Sequence, residues 1–475
     1  WSVEARFAYG SNQTATSTRA GVPVATAGND AVAVRTWDAG DAHVGPEGVA
    51  GSFVAQPGST SVLALEMAHQ EPLVLASRAD VDRRLDATVA YWRGWVGDRT
   101  FGAGRRGAIV RSALALKLLV HSPTGAVAAA ATTSLPEEIG GERNWDYRFS
   151  WLRDSAFVME ALLGLGCPDE AEAFFWWLMH ASQLTHPRLQ VLYRLDGGTR
   201  ARERTLPLEG YIGSRPVRVG NAAAEQRQLD IYGDLLQTAW LYADAGHPID
   251  REFGDRLAAI ADLVTEIWRD RDAGIWEVRG DPEHFTQSKM LCWVALDRAR
   301  RLADAGQIPS EHVDRWRASA DEIVAFVEER CWSPEQRSYT RAAGNSELDA
   351  SVLLGARLGY GDPAGERFAG TVEALRRELG DGPLIHRYRG PDGLPGGEGA
   401  FLCCSFWLAE VLALAGRQDE ARTLMNQLLD LANDVGLYAE EIDPVSSAFL
   451  GNVPQGLTHL ALLTASAALE EAAQR

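Results

Sequence analysis

The fold class that the sequence predicts is mainly α: an (α/α)6 barrel, a toroid of six inner and six outer helices, preceded by a partial β-sandwich. Three observations predict it. Strand-like alternation of apolar and polar residues is confined to the first 78 or so positions. Beyond about Arg105 the apolar period changes to that of amphipathic helices, about twelve of them. The links between these helices alternate between short and long, and short links force antiparallel helix hairpins. Hairpins joined by long crossovers on one side close into a toroid. A stacked α-solenoid also has hairpins, but no repeating sequence signature of that kind is present.

Taken in order, residues 1–78 hold short runs such as Ala31-Val32-Ala33-Val34-Arg35-Thr36-Trp37 and Ser61-Val62-Leu63-Ala64-Leu65-Glu66-Met67, punctuated by Gly, Pro, Asn and Asp. This reads as half of a β-sandwich. Residues 79–104 form a linker helix, on the spacing of Val81, Leu85, Val89, Trp92 and Trp95. Residues 105–475 form the barrel, with helices expected near 105–121, 152–165, 169–182, 224–245, 251–269, 286–305, 310–330, 348–357, 364–378, 400–415, 418–433 and 455–472. Short links follow at Gly166, Gly246, Gly306, Gly359 and Gly416, whereas the segments near 122–150, 183–223, 270–285, 331–347, 379–399 and 434–454 are long. The long segments open on one face, where a site would be built.

Composition narrows the partners. A net charge of −19 argues against nucleic acid or an anionic membrane, because phosphates are gripped by clustered cations. The cations are almost all arginine; Lys117 and Lys289 are the only lysines. Five cysteines, Cys167, Cys292, Cys331, Cys403 and Cys404, show no CxxC spacing, so free buried thiols are expected rather than a disulfide framework or a metal site. With no apolar run of membrane-spanning length and no signal peptide in view, the cytoplasm is expected. The chain opens at Trp1, so a preceding segment is expected too. No cofactor is called for, and homo-oligomerisation stays open.

Chemistry concentrates in the crossovers. The stretch from Gly140 to Asp154, GGERNWDYRFSWLRD, joins four aromatics to three arginines and three acids. Aromatic faces beside guanidinium and carboxylate groups suit a sugar, whose C–H faces stack on arenes and whose hydroxyls need donors and acceptors. In the crossover near 270–285, Trp276 stands beside Glu277, the pairing that holds a carboxylic acid against an apolar wall and raises its pKa. The last crossover carries Glu440, Glu441 and Asp443; of the adjacent glutamates, one would face the cavity and the other the wall. Inverting glycoside cleavage needs an acid and a base about 6.5–9.5 Å apart. Which of Glu440 and Glu441 is the base stays open on the residues alone.

These motifs, with Cys292-Trp293-Val294-Ala295-Leu296-Asp297-Arg298-Ala299 and Gly451-Asn452, resemble family 15 of the glycoside hydrolases, the glucoamylase, glucodextranase and trehalase family, and are most similar to its bacterial trehalase-like branch. The resemblance runs from about residue 80 to the end. It implies an inverting, exo-acting hydrolase that releases glucose from an α-glucoside, either trehalose or a short malto- or isomalto-oligosaccharide. Glu277 matches the general acid and Glu440 the general base. Arg153 and Asp154 match the pair gripping the terminal glucose, with Tyr147 and Trp151 lining its pocket and Trp145, Trp276, Lys289 and Trp293 nearby. The crossover Leu208 to Asn221 lacks the substrate-stacking tryptophan of fungal glucoamylases, which weighs against long starch chains, and Ile442 stands where an aromatic is expected. The segment His386-Arg387-Tyr388-Arg389, in the crossover before the tenth helix, supplies cations to a second sugar or to inorganic phosphate. The competing readings are a phosphorylase on the same barrel and an inactive sugar-binding toroid.

Overall fold

The structure is a computed structural model that describes residues 1–97 and 105–474; residues 98–104, the end of the expected linker helix, lie outside the described residues. Two compact units divide the chain, Trp1–Arg99 and Thr100–Arg475.

In the first unit, β2 (Ala15–Arg19), β3 (Val22–Ala27), β4 (Asp30–Trp37) and β7 (Val62–His69) form an antiparallel sheet in the order β2-β3-β4-β7. The turns at Ala20-Gly21 and Gly28-Asn29 place positive φ where the two hairpins reverse, at Ala20, Gly21 and Gly28. A smaller sheet joins β1 (Ser2–Val3), β6 (Val49–Ala50) and β5 (His43–Val44). Val24, Ala33 and Val34 are buried between their neighbours. Helix α1 (Arg78–Gly97) follows. Its apolar spacing is helical as expected, yet only Trp95 is buried, and Leu85 and Val89 are exposed.

The second unit is the (α/α)6 barrel. Its inner ring is α3 (Ser155–Gly164), α5 (Ile231–Asp244), α7 (Thr286–Asp304), α9 (Leu353–Arg357), α11 (Leu402–Leu414) and α13 (Gly456–Gln474). Each packs on the next, and α13 packs on α3 to close the ring. Outside lie α2 (Arg106–Leu119), α4 (Pro168–Gln183), α6 (Arg251–Ile267), α8 (Val313–Arg330), α10 (Glu366–Glu378) and α12 (Gln418–Leu429). The sequence separates the two rings. Every residue of α11 from Leu402 to Ala413 is buried, as a helix covered on all sides requires. By contrast α12 buries only Ala421, Leu424, Met425 and Leu428, a single stripe at helical spacing.

Inner helices end by one device. At Gly166, φ is +68°, and the bonds Gly166 N to Leu163 O (3.0 Å) and Cys167 N to Leu162 O (2.8 Å) cap α3. This is a Schellman closure, which favours glycine because the left-handed region is costly for a residue with a Cβ. The same pair of bonds recurs at Gly306 and Gly416. The chain therefore reverses within a few residues, and every long segment is left at the other end of the barrel.

The long crossovers are less irregular than their sequence suggests. Beyond Arg105 the strand signals nearly vanish, but short antiparallel ladders form where backbone meets backbone. Examples are Thr133–Pro136 with Asn144–Asp146, and Ala400–Phe401 with Glu441–Ile442 and Phe449–Leu450. The last ladder fixes Glu440 and Glu441 against the residues that precede α11.

Candidate active site

Glu277 and Glu440 line one cavity, together with Glu137, Arg143, Arg153, Trp145, Tyr147, Trp276 and Arg387. Glu277 comes from the crossover into α7 and Glu440 from the crossover into α13, the third and sixth helices of the inner ring. The two carboxylates thus enter from opposite sides of the barrel.

Two aromatic residues connect them. The Tyr147 hydroxyl donates to Glu440 Oε1 at 2.7 Å, and Trp151 Nε1 donates to Glu277 Oε1 at 2.6 Å. Their rings meet edge to face with centroids 5.3 Å apart. The central loop is itself pinned: Asp146 accepts from Arg148 Nε and Nη2 and from Gly220 N, and Asn452 Nδ2 donates to Trp145 O at 2.9 Å. A loop so heavily bonded presents its side chains with little freedom.

Glu277 stands in a strained turn. Its φ is +59°, and its amide closes on Gly274 O at 3.1 Å. A non-glycine residue in the left-handed region costs about 1–3 kcal/mol and persists where surrounding contacts over-determine it. Here those contacts are Trp151 at the carboxylate, Gln226 Nε2 at the Glu277 carbonyl (3.1 Å), and Arg153 Nη1, 3.6 Å from Glu277 Oε1. Burial raises the carboxyl above its ordinary range, and Arg153 and the Trp151 N–H offset that in part. Next to it, Trp276 lines the cavity while its indole N–H donates to both oxygens of Asp349, at 2.9 and 3.0 Å, which fixes the plane of the ring.

Glu440 is 5% exposed, and burial pushes its carboxyl up to about 7 against the pull of the Tyr147 hydrogen bond. Its Oε2 lies over Gly451, where an added Cβ would stand 2.7 Å from that oxygen. Glu441 points into the wall instead: it is fully buried, absent from the cavity lining, and accepts from Gly399 N.

Other expected residues fall into layers. Tyr147, Arg153, Trp145 and Trp276 line the cavity. Arg218 and Arg279 both lie over the Trp145 ring, at 4.5 and 5.1 Å from its centroid. Trp151 and Asp154 stand one layer behind, Asp154 accepting from Arg153 Nε at 2.7 Å. Lys289 does not reach the sugar pocket as expected. It is fully buried, and its ammonium donates to the carbonyls of Trp268 and Asp270 at 2.7 and 2.6 Å. Nor does Trp293, which turns toward Tyr360 with ring centroids 5.5 Å apart. Both sit on faces of α7 that look away from the cavity.

The structure adds Glu137, Asp392 and Glu398, which sequence reasoning missed, and shows what the arginines of the expected segments hold. Arg143 makes a two-point pair with Asp392, at 2.7 and 3.0 Å, and Arg387 binds both oxygens of Glu398. Carboxylate oxygens of Glu137, Glu398 and Glu441 lie within 4.8 Å of one another. Two guanidiniums already neutralise Glu398, and no metal is assigned. The motif Glu137-Glu138 ahead of the central loop was the available signal.

An (α/α)6 barrel with a cavity framed by two opposed carboxylates and an aromatic floor is the class that this fold and site define. Comparison with known proteins makes it specific. The family described as glycosyl hydrolases family 15 matches residues 103–467, and the chain belongs to that family. It is 40% identical over 391 residues to a trehalase of Thermoplasma volcanium, covering 82% of this chain and 62% of that protein. It is 42% identical over 407 residues to a trehalase of Mycobacterium tuberculosis, covering 84% and 59%. The chain thus spans about three fifths of these relatives. Among solved structures, a bacterial glucoamylase complexed with acarbose superposes with a TM-score of 0.73 at 13% identity, over 97% of this chain and 75% of that one, which shows the fold.

Proposed function

We propose that the barrel unit catalyses inverting, exo-acting hydrolysis of a short α-glucoside, with trehalose the first substrate to test. The single observation that carries this is the meeting of Glu277 and Glu440 in one cavity from opposite sides of the ring, each held by one residue of the Tyr147–Trp151 pair. Trehalose comes first because the similar proteins above bear that name.

In this reading Glu277, raised by burial, holds the proton that goes to the glycosidic oxygen as the C–O bond breaks. Glu440 takes a proton from the water that attacks the anomeric carbon from the far side, so an α-glucoside yields β-glucose. Arg153, positioned by Asp154, and Tyr147 grip the hydroxyls of the terminal glucose. Trp145 and Trp276 wall the site. The proposed domain division is a β-rich domain over 1–78, a linker segment over 79–104 and a catalytic domain over 105–475. Five free, buried thiols suit a reducing compartment, and the cytoplasm is the proposed location; among the described residues no helix is long and apolar enough to cross a membrane.

The test is a panel of trehalose, maltose and isomaltose with purified protein. Release of glucose from trehalose at the highest kcat/KM supports the reading, and inactivity on all three removes it.

A further inference from the structure

Beside the proposed base lie more acids than there are cations to balance them. Arg143 is paired with Asp392 and Arg387 with Glu398. Glu137, Glu440 and Glu441 are then left together, each at most 5% exposed. Oxygens of Glu137 and Glu441 fall within the same 4.8 Å group, and Glu440 adjoins Glu441 in sequence. A bond from Gly451 N to Pro136 O (2.7 Å) holds the glycine under Glu440 Oε2 against the residue preceding Glu137. Glu137 and Glu440 share the cavity lining, and Glu137 and Glu441 share the 4.8 Å group; buried carboxylates so grouped without free cations cannot all ionise.

Hydrogen bonding ranks them. A carboxylate keeps its charge in proportion to the donors it receives. Glu440 receives the Tyr147 hydroxyl and Glu441 the Gly399 amide. Among the described residues Glu137 receives no donor at its side chain, and its Oε2 is buried without a partner. The charged and titratable groups facing it are already committed: Glu440 and Glu441 from the last crossover, Glu398 and Arg387 from the crossover before α11, Arg143 and Tyr147 from the central loop, and Arg218, which is paired with Glu203 and bonded to the carbonyls of Glu142 and Asn144.

We propose that Glu137 is held as the neutral acid in the working protein and is a positioning residue, leaving the negative charge of the carboxylate group on Glu440. The inference rests on the reading of Glu440 as general base. The direction of titration agrees with it: burial and then the neighbouring Glu440 raise Glu137 well above the carboxylate range. A neutral acid beside the base adds no like charge. An ionised one would repel Glu440 and drive a proton onto it, which would silence the base.

The experiment compares Glu137→Gln, Glu137→Leu and Glu440→Gln in the full chain, reading the pH profile of kcat on the disaccharide that the chain turns over. Glutamine mimics the neutral acid in shape and charge. The inference predicts that Glu137→Gln keeps kcat within about threefold, with the acidic limb unmoved, while Glu137→Leu loses about tenfold or more because, unlike the neutral acid or its amide, it brings no donor to the carboxylates beside it. An acidic limb that moves to lower pH in Glu137→Gln by about a unit or more would show that a charge had been removed beside the base, and overturns the inference. So does calorimetric binding of magnesium to the wild type that Glu137→Gln abolishes. Infrared spectra should show a carboxylic-acid carbonyl band at neutral pH that Glu137→Gln lacks; an unchanged spectrum counts against the inference. Glu440→Gln separates the two levels. If it is inactive while Glu137→Gln moves the acidic limb, the base stands and this inference falls; if it keeps full turnover, the base assignment itself is wrong and the inference falls with it.

Discussion

Glu410 on helix α11 and the three acids that the crossovers bring beside the cavity are buried in different ways. Inner helices such as α11 bury an unbroken run of residues, in which Glu410 is matched to Arg357 at 2.9 Å and to the Thr464 hydroxyl at 2.8 Å. The crossovers bury Glu137, Glu440 and Glu441 with an oxygen apiece lacking any partner among the described residues. A buried polar group left unpaired costs about 1–3 kcal/mol, so such groups persist where something other than stability retains them. Glu410 is thus tied into the packing of the inner ring, and the crossover acids are held with bonding capacity to spare.

The sharpest way to break this contrast is to remove the carboxylates. Glu277→Gln and Glu440→Gln should each lower kcat by about a thousandfold or more in steady-state assays, with little loss of melting temperature. For Glu440→Gln the melting temperature should even rise at pH 8. The folded state holds the Glu440 proton up to about pH 7, above the ordinary carboxylate range. Its favourable contribution is complete below the ordinary carboxylate range and is lost progressively as pH rises to about 7, so the gain from glutamine should be absent below about pH 4, grow up to pH 7 and be full at pH 8. A variant destabilised at both ends of that range would contradict the contrast.

A helix substitution should do the reverse. Leu291 on α7 is fully buried, its carbonyl tight against Gly233 of α5. Leu291→Ala should cost about 2–5 kcal/mol in denaturant unfolding while the folded fraction keeps its KM. One glycine replacement can also be set against another. At Gly451 an added Cβ would press on Glu440 at 2.7 Å from Oε2 and 2.9 Å from Cβ, whereas at Gly166 it would meet nothing within 4 Å. Both have positive φ, so each alanine should cost about 1–2 kcal/mol. Only Gly451→Ala should lower kcat, by about tenfold or more.

The smallest expected kinetic effect belongs to Lys289. Its ammonium bonds two carbonyls inside the scaffold, so Lys289→Met should lower stability by about 1–3 kcal/mol and leave KM for the disaccharide unchanged. A raised KM would return Lys289 to the sugar pocket.

How much of this was legible in the sequence follows the same line. Helices are local objects, and periodicity located them closely: 251–269 was expected where α6 spans Arg251–Ile267. Misses came where the chain departs from a plain α-helix. The helix expected from 224 starts at Ile231, because Ala222–Glu225 forms a 3-10 turn and Asp230 caps the helix proper; likewise 348–357 resolves into a 3-10 turn at Ala350–Val352 and a five-residue α9. The crossovers depend on pairings such as Phe401 with Glu441, forty residues apart, which no local pattern announces. The aromatic loop stood out by composition; the residues alone offered Glu277 and the Glu440-Glu441 pair, and only the family resemblance singled out Glu440. Lys289 and Trp293 did not sort correctly, because residue type cannot say which side of α7 faces the cavity.

The measurement that tests the central claim most directly is the anomeric configuration of glucose at the moment of release, followed by proton NMR before mutarotation. Opposed carboxylates acting as acid and base predict that β-glucose appears first from an α-glucoside. If α-glucose appears first, one carboxylate must have bonded to the sugar, and the division of roles between Glu277 and Glu440 is wrong.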